Sequence, residues 1–391
     1  MKQYRWIPAM IAALMLSACT PSMIPDTELT QESESAEKVE TTIIPNMQIS
    51  DNYYKTLIPY KESASRGLVV SNIFTKYDMK EAETGLMRIS QNHFDTGKYY
   101  FQEGQYLDEE TLKYWLARPN QTEDKGPEYQ GLNPSSIDEK TGEEMDPAVK
   151  ATEAPVYLSH IIEQNYLTKT DDNKVKLAGV SIGLALNSVY YYQKEQYGEF
   201  YEQKVSEDKL EAEGKKIAQE VVNRLRARSE LAEVPIVIAL FKQEERNSIV
   251  PGTYMAYNFV DKNTTAIDDW DEISEKYVKF PMSSPDDSYR EMNTDFMNFQ
   301  QDVDKYFSNF TSVFATGFYQ NKKIQKLDIE IPIQFYGTAE ITGFTQYITG
   351  LMLTHLPLDL TITVSITSVN GPEVLIVKKP NEDEPFVHIY E

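Results

Sequence analysis

The chain has 391 residues, of which 41% are hydrophobic and 12% aromatic, so most of it can bury enough apolar surface to fold. Its 38 Lys and Arg face 61 Asp and Glu, a formal net charge of −23, which excludes nucleic acid as a partner because phosphates are repelled by an acidic surface. One Cys and four His exclude disulfide frameworks, Cys-rich zinc sites and most Cys/His catalysis. We predict no metal and no cofactor.

The amino terminus has the layout of a secretion signal. Lys2 and Arg5 supply positive charge, and residues 7–16 form an apolar run that is shorter than the roughly 20 residues needed to cross a bilayer. Small residues then precede Cys19, as they do at signal cleavage sites. We therefore predict a signal peptide over residues 1–18, with cleavage between Ala18 and Cys19.

The tetrapeptide at residues 16–19, Leu-Ser-Ala-Cys, resembles the lipobox of bacterial lipoproteins. The resemblance implies that the sulfur of Cys19 receives a diacylglyceryl group of palmitate type and that Cys19 becomes the new amino terminus. Two acyl chains are sufficient for stable anchoring, so we predict a membrane partner and a place on the outer face of the cell membrane. Residues 19–51 are rich in Ser, Thr and Glu and predict a disordered acidic linker.

Ordered sequence begins near Asn52, and we predict a first domain over residues 52–205. Hydrophobic periodicity and turn residues define its expected elements. In chain order these are a strand at 66–73, a helix at 80–93, a strand at 98–107, a helix from Asp108 to Pro119, a long loop from 119 to 155, a helix at 155–167 and a strand at 176–193.

A second domain is predicted over residues 206–391, beginning with an amphipathic helix at 207–228 that packs onto it. The elements that follow mix strands and helices, with several hairpins, which favours an α+β fold over a doubly wound sheet. They are strands at 234–241 and 254–260, a helix from Ser284 to Phe310 with a buried aromatic stripe, a hairpin of 313–319 with 324–335, a helix at 341–355, a strand at 358–366, a turn at Asn370-Gly371 and a strand at 374–377.

Besides the lipobox, four stretches of the chain form distinctive motifs: residues 66–72 (RGLVVSN), 83–88 (ETGLMR), 99–107 (YYFQEGQYL) and 183–190 (GLALNSVY). Together they resemble the CamS family of Gram-positive lipoproteins, which are described as sex pheromone precursors of staphylococcal type. The resemblance extends over nearly the whole mature chain and implies two related α+β domains in tandem with mixed or antiparallel sheets. A helix followed by a long apolar strand near the end of each half agrees with such a duplication.

In that family a short hydrophobic peptide from the end of the leader acts as a conjugation signal. The corresponding segment has seven small or aliphatic residues without charged side chains, a composition suited to an apolar receptor pocket. The resemblance therefore implies a second partner, a pheromone receptor in recipient cells that carry a responsive plasmid. The segment consists of Ala12, Ala13, Leu14, Met15, Leu16, Ser17 and Ala18.

For the mature body we predict a non-catalytic binding protein. No phosphate-binding loop, nucleophile elbow or zinc-protease motif occurs, and the four His lie far apart. Tyrosine-rich strands at 98–106 and 189–192 can stack sugars or peptides, since each ring has an apolar face and a polar hydroxyl. The candidate ligand site consists of Tyr99, Tyr100, Glu103 and Tyr106.

A hydrolase that uses paired carboxylates, such as a glycosidase, is the alternative, because that chemistry needs neither metal nor histidine. Its candidate acids are Glu81, Glu83, Glu103, Asp268, Asp269 and Asp271. The two classes differ in their sites: an enzyme requires a deep pocket with carboxylates of altered pKa, and a binder an open aromatic groove.

Overall fold

A computed structural model describes residues 27–32, 39–45, 47–68, 73–122, 126–306, 312–334 and 337–390. Its helices are α1 (Lys76–Ser90), α2 (Glu109–Leu116), α3 (Pro147–Glu153), α4 (Glu207–Arg226), α5 (Asp287–Asp304) and α6 (Thr338–His355). Its strands are β1 (Thr27–Glu32), β2 (Val39–Ile44), β3 (Lys55–Thr56), β4 (Tyr100–Glu103), β5 (Leu158–Lys169), β6 (Lys174–Asn187), β7 (Val189–Gln193), β8 (Phe200–Lys204), β9 (Ile236–Gln243), β10 (Thr253–Val260), β11 (Asp271–Glu272), β12 (Glu275–Phe280), β13 (Phe314–Gln320), β14 (Lys323–Pro332), β15 (Thr361–Ser368), β16 (Gly371–Lys378) and β17 (Phe386–Ile389).

The first sheet is the centre of a three-layer arrangement. Its strands follow the order β11-β10-β9-β6-β5-β4-β3, with β1 added beside β6 and β2 beside β1. Helix α1 packs on one face through Ala82, Leu86 and Ile89. Helices α2 and α4 cover the other face, where Trp115 and Val221 join the larger core cluster. Since both faces are covered, the central strands are buried along most of their length.

The second sheet belongs to a two-layer arrangement of one sheet and two helices. Its strands follow the order β12-β13-β14-β15-β16-β17, and α5 and α6 contribute Phe296, Phe299, Phe344 and Ile348 to its core. Strands β14, β15 and β16 alternate buried with more exposed residues, because helices cover only one face. The whole structure is therefore an α+β fold, as predicted.

The two sheets repeat one topology. In the first, β4, β5 and β6 are antiparallel neighbours, β6 is parallel to β9, and β9, β10 and β11 are antiparallel. In the second, β12 to β14 are antiparallel, β14 is parallel to β15, and β15 to β17 are antiparallel. A helix connects the parallel pair each time, α4 in the first sheet and α6 in the second. This repeated order supports the expectation of two related domains.

The predicted boundary between 205 and 206 does not coincide with the division between the sheets. Helix α4 packs on the first sheet, and β9, β10 and β11 belong to it. The change of sheet falls between Glu272 and Glu275. The sequence pattern missed this because the parallel pairing of β6 with β9 joins segments about 50 residues apart, which no local signal reports.

Two elements of the first half were predicted wrongly. The segment 155–167 was expected to be a helix but lies largely in β5, where ten consecutive residues are buried. A strand covered on both faces shows no alternation, so its apolar residues fall by chance at helical spacing. Residues 66–68, expected to begin a strand, are helical, and residues 69–72 lie outside the described residues.

Part of the predicted disordered linker is ordered. Strands β1 and β2 form an antiparallel hairpin, and Thr30 and Gln31 pair in parallel with Lys174 and Val175 of β6. Strand β2 is rich in β-branched residues, which favour strands, and the projecting end of β6 offers β1 an edge to pair with. Ile44 is buried in a small core cluster below this edge.

Other local predictions are confirmed. Asp108 caps α2 through a 2.7 Å hydrogen bond that it accepts from the amide of Thr111. The hairpin of β13 and β14 turns at Asn321 and Lys322, both with positive φ, as a tight hairpin requires. Helix α5 begins after Asp286 and ends at Asp304; its predicted extension through 307–310 lies outside the described residues.

A buried ion cluster joins the two sheets. Arg88 of α1 donates to both oxygens of Glu275, at 3.1 and 2.8 Å, and to Oε1 of Glu81 at 2.6 Å. The Tyr277 hydroxyl donates to the other oxygen of Glu81 at 2.7 Å. The guanidinium also lies 4.8 Å from the ring centroid of Phe318 in the second sheet. These contacts tie α1 directly to β12 and β13.

Candidate ligand cavity

A cavity of about 140 Å³ lies between α1 and the edge of the first sheet. One wall comes from α1, another from β4 and β5, and the mouth from the segment around Ser63 and Arg66. Apolar side chains form most of the lining, with a few polar groups among them, the composition of a small-molecule site. The apolar members are Ile73, Met79, Ala82, Met87, Phe101 and Ile162.

His160 is a buried polar group in the lining. Only 2% of the residue is exposed, and its Nδ1 has no hydrogen-bond partner. Burial lowers the pKa of the imidazole to about 4, so the ring is neutral at physiological pH. A β-bulge between Leu158 and His160 shifts the register of β5 at this point. Such bulges often re-aim a side chain at a functional site.

The mouth carries one guanidinium between two carboxylates. Arg66 donates to both oxygens of Glu103 and lies 3.2 Å from Glu83 Oε1. The amide of Ser63 donates to Glu103 at 3.0 Å. Burial acts to raise the pKa of Glu103, but the hydrogen bonds from Arg66 and Ser63 outweigh it and hold that pKa below its usual range. At Glu83 burial prevails over Arg66 and raises the pKa.

Glu163 lies at the back of the cavity, and both oxygens of its carboxylate accept hydrogen bonds from the protein. Its carboxylate accepts hydrogen bonds from the amides of Gln105, Tyr106 and Leu107 and from Asn165 Nδ2. Burial still raises its pKa. A Cβ on Gly104 would overlap the Glu163 side chain, so the glycine permits this close approach. The contacts fix the turn after β4 and hold Glu103 in position.

The predicted ligand residues do not form one site. Glu103 lines the cavity, whereas Tyr106 lies at a separate depression of about 770 Å³. The Tyr99 ring packs edge-on against Phe94 at 5.3 Å, and Tyr100 packs on the small core cluster around Ile44. The side chains of one short strand point to opposite faces, which separates them.

The sequence does not identify Arg66, Glu83 and His160 as members of one site. Its patterns place Arg66 in a strand and His160 in a helix, and Glu83 is only one of the candidate acids of the hydrolase alternative. No spacing links them, since they come from three separate segments of the chain. The sequence offers two signals for these residues. Arg66 and Gly67 stand beside an apolar run, and His160 is a single histidine within another apolar run.

The cavity gives no support to paired-carboxylate hydrolysis. Glu103 and Glu163 are held by hydrogen bonds from protein donors, which leaves Glu83 as the carboxylate at the mouth with spare acceptor capacity, so the lining does not present the pair of accessible carboxylates that glycoside hydrolysis uses. Glu81 pairs with Arg88 and Tyr277 in the ion cluster. In the part of the chain that the structure describes, no group of three or more His, Cys, Asp or Glu side chains is placed to hold a metal ion.

The second tyrosine-rich segment forms the hairpin of β7 and β8. The Tyr190 and Tyr192 rings are stacked, with centroids 6.2 Å apart and planes 7° apart. The guanidinium of Arg246 lies 4.0 Å from the centroid of the Tyr191 ring, so this face of the ring is not available to stack with a ligand. The hairpin is an aromatic surface, and it lies apart from the cavity lining.

The two-sheet fold is shared with sex pheromone precursors of known structure. The chain resembles the crystal structure of a sex pheromone precursor from Lactobacillus salivarius subsp. salivarius UCC118, with a TM-score of 0.79 and 33% identity over 88% of this chain and 98% of that one. It also resembles the C-terminal domain of the sex pheromone staph-cAM373 precursor from Staphylococcus aureus, with a TM-score of 0.69 and 31% identity over 82% of this chain and 98% of that one.

A family model described as CamS sex pheromone cAM373 precursor matches residues 60–384. The chain belongs to the CamS family. No curated protein matches the chain. Cys19 and the leader segment 12–18 lie outside the described residues, and no helix within the described ranges is both long and apolar enough to span a bilayer.

Proposed function

We propose that this protein is an extracytoplasmic lipoprotein held on the outer face of the membrane by a diacylglyceryl group on Cys19. The leader layout and the lipobox at 16–19 support this proposal. Two acyl chains bury enough methylenes, at about 0.8 kcal/mol each, to hold the chain stably. The anchor keeps the folded body close to the cell surface, because only residues 19–26 precede β1 in the mature chain.

The cleaved leader supplies a peptide signal for conjugation in this proposal. Family membership supports it, together with the uncharged, aliphatic composition of residues 12–18. A peptide of this kind is read by an apolar receptor pocket in the recipient cell.

The mature body is a non-catalytic binding protein in this proposal, and its ligand occupies the cavity under α1. The observation that carries this part is a cavity of about 140 Å³ with a mainly apolar lining and a charged mouth formed by Arg66, Glu83 and Glu103. An apolar pocket with a few convergent polar groups is the usual form of a small-molecule site.

Replacing Cys19 with Ala is expected to abolish acylation. In cells fed labelled palmitate, the wild-type protein and a Thr20→Ala control carry the label, and Cys19→Ala does not. The intact mass of the wild-type protein corresponds to a chain that begins at Cys19 with its lipid. An unmodified wild-type chain with its leader still attached contradicts the anchor.

The synthetic heptapeptide of residues 12–18 is expected to induce clumping or plasmid transfer in responsive recipient cells. A scrambled peptide of the same composition serves as the control, because receptor pockets distinguish side-chain order. The absence of any response at nanomolar to micromolar peptide contradicts the signalling role and leaves the anchor unaffected.

A further inference from the structure

The size and lining of the cavity under α1 limit its ligand. A cavity of about 140 Å³ is close to one of about 150 Å³ that accepts benzene, so it accommodates a branched aliphatic or a small aromatic group. Met79 and Met87 on α1 are flexible and polarizable, and they adapt to such a group.

Most polar groups of the lining are already paired. Glu163 accepts hydrogen bonds from four protein donors, and Gln164 donates to the carbonyl of Glu83 at 2.8 Å and accepts from the Tyr166 hydroxyl at 2.9 Å. His160 Nδ1 is the exception among these groups. That nitrogen is itself closed off from solvent, so the interior of the cavity presents mainly apolar surface to a ligand.

The charge at the mouth favours a cation. One guanidinium, that of Arg66, is shared between two carboxylates, Glu83 and Glu103, which leaves a net charge of −1. The stronger contact is with Glu103, which receives two hydrogen bonds, and 43% of the Glu83 side chain is exposed at the entrance. Glu83 is thus the carboxylate with capacity for another donor, and a ligand carboxylate would be repelled.

Extending the proposed binding role of the body, we infer that the cavity binds a small primary amine whose alkyl or aryl group lies among Met79, Met87 and Ile162. An ammonium group has three N–H donors and no acceptor, which matches the carboxylate of Glu83 at the mouth. Charge-assisted hydrogen bonds to Glu83 supply the preference for an amine over an alcohol.

Three probes with one branched carbon skeleton test this inference on the full chain: isopentylamine, isopentanol and isovalerate. Ligand-observed NMR titrations are expected to show the amine binding about tenfold more tightly than the alcohol, and the acid most weakly. Glu83→Gln is expected to remove the tenfold advantage of the amine and leave alcohol binding unchanged. The control Glu211→Gln breaks an ion pair with Lys215 on α4 and is expected to change neither.

Met87→Trp places a larger and more rigid side chain in the cavity and is expected to weaken binding of every probe at least tenfold, with thermal unfolding confirming that the variant folds. Equal binding of amine and alcohol, or tightest binding of the acid, overturns the amine inference and leaves the binding role intact. Absence of binding by all three probes overturns the binding role itself. Unchanged binding of the probes in folded Met87→Trp places them elsewhere and overturns both.

Discussion

Arg88→Ala is expected to lower the free energy of unfolding by about 3 kcal/mol, because it leaves Glu81 and Glu275 without their shared cation. Glu275 has only 2% of its side chain exposed, so its carboxylate depends on the guanidinium for most of its stabilisation. The variant also loses the contact of Arg88 with Phe318, which helps to hold α1 against the second sheet. Chemical denaturation at neutral pH, followed by circular dichroism, measures the change.

Lys113→Ala is the matched control for this prediction. It removes an ion pair with Glu109 in which both side chains are more than half exposed, so a loss below about 0.5 kcal/mol is expected. A triple variant in which Arg88→Ala is combined with Glu81→Gln and Glu275→Gln is expected to recover much of the loss, since no buried charge then remains unpaired. A loss for Arg88→Ala as small as that of Lys113→Ala contradicts the assignment of the cluster as a buried tie between the sheets.

The stability of the protein is expected to fall between pH 6.5 and pH 4 by about 3 kcal/mol through His160 alone. Burial lowers the pKa of His160 in the folded state to about 4, while the unfolded chain has the usual 6.5. As the pH falls through this window, the unfolded state takes up a proton that the folded state refuses. The contribution is present in full above pH 6.5 and is lost toward pH 4.

The difference between the wild type and His160→Leu isolates this contribution. Other buried groups titrate in the same range; burial raises the pKa of Asp78 to about 6, which acts in the opposite sense. Leucine has a similar size and does not titrate, so the variant is expected to gain about 3 kcal/mol relative to the wild type as the pH falls from 7 to 4. If the difference in the free energy of unfolding between the two proteins stays constant from pH 7 to pH 4, His160 is not a buried, neutral residue.

The strands of the second sheet were readily predictable from the sequence, and the buried strand β5 of the first sheet was not. Strands β14, β15 and β16 alternate because α5 and α6 cover one face only, and this alternation is legible in the residues themselves. Strand β5 is covered on both faces, so its pattern does not distinguish a strand from a buried helix.

The residues of the candidate site were also only partly predictable from the sequence. Glu103 could be singled out because it lies among tyrosines in a short, readable strand. Its partner Arg66, the mouth residue Glu83 and the buried His160 could not, since each comes from a different segment and the segments meet only when α1 packs on the sheet.

Composition, contiguous motifs and hydrogen bonds between residues close in the chain were enough to predict the α+β class, the family resemblance, the expected anchor at Cys19 and the start of α2 at Asp108. They could not predict which strands share a sheet, that the sheets divide between Glu272 and Glu275, or that a cavity forms beneath α1. The pairing of β6 with β9 and the burial of His160 depend on contacts between distant segments, whose cost in chain entropy is offset only by the assembled core.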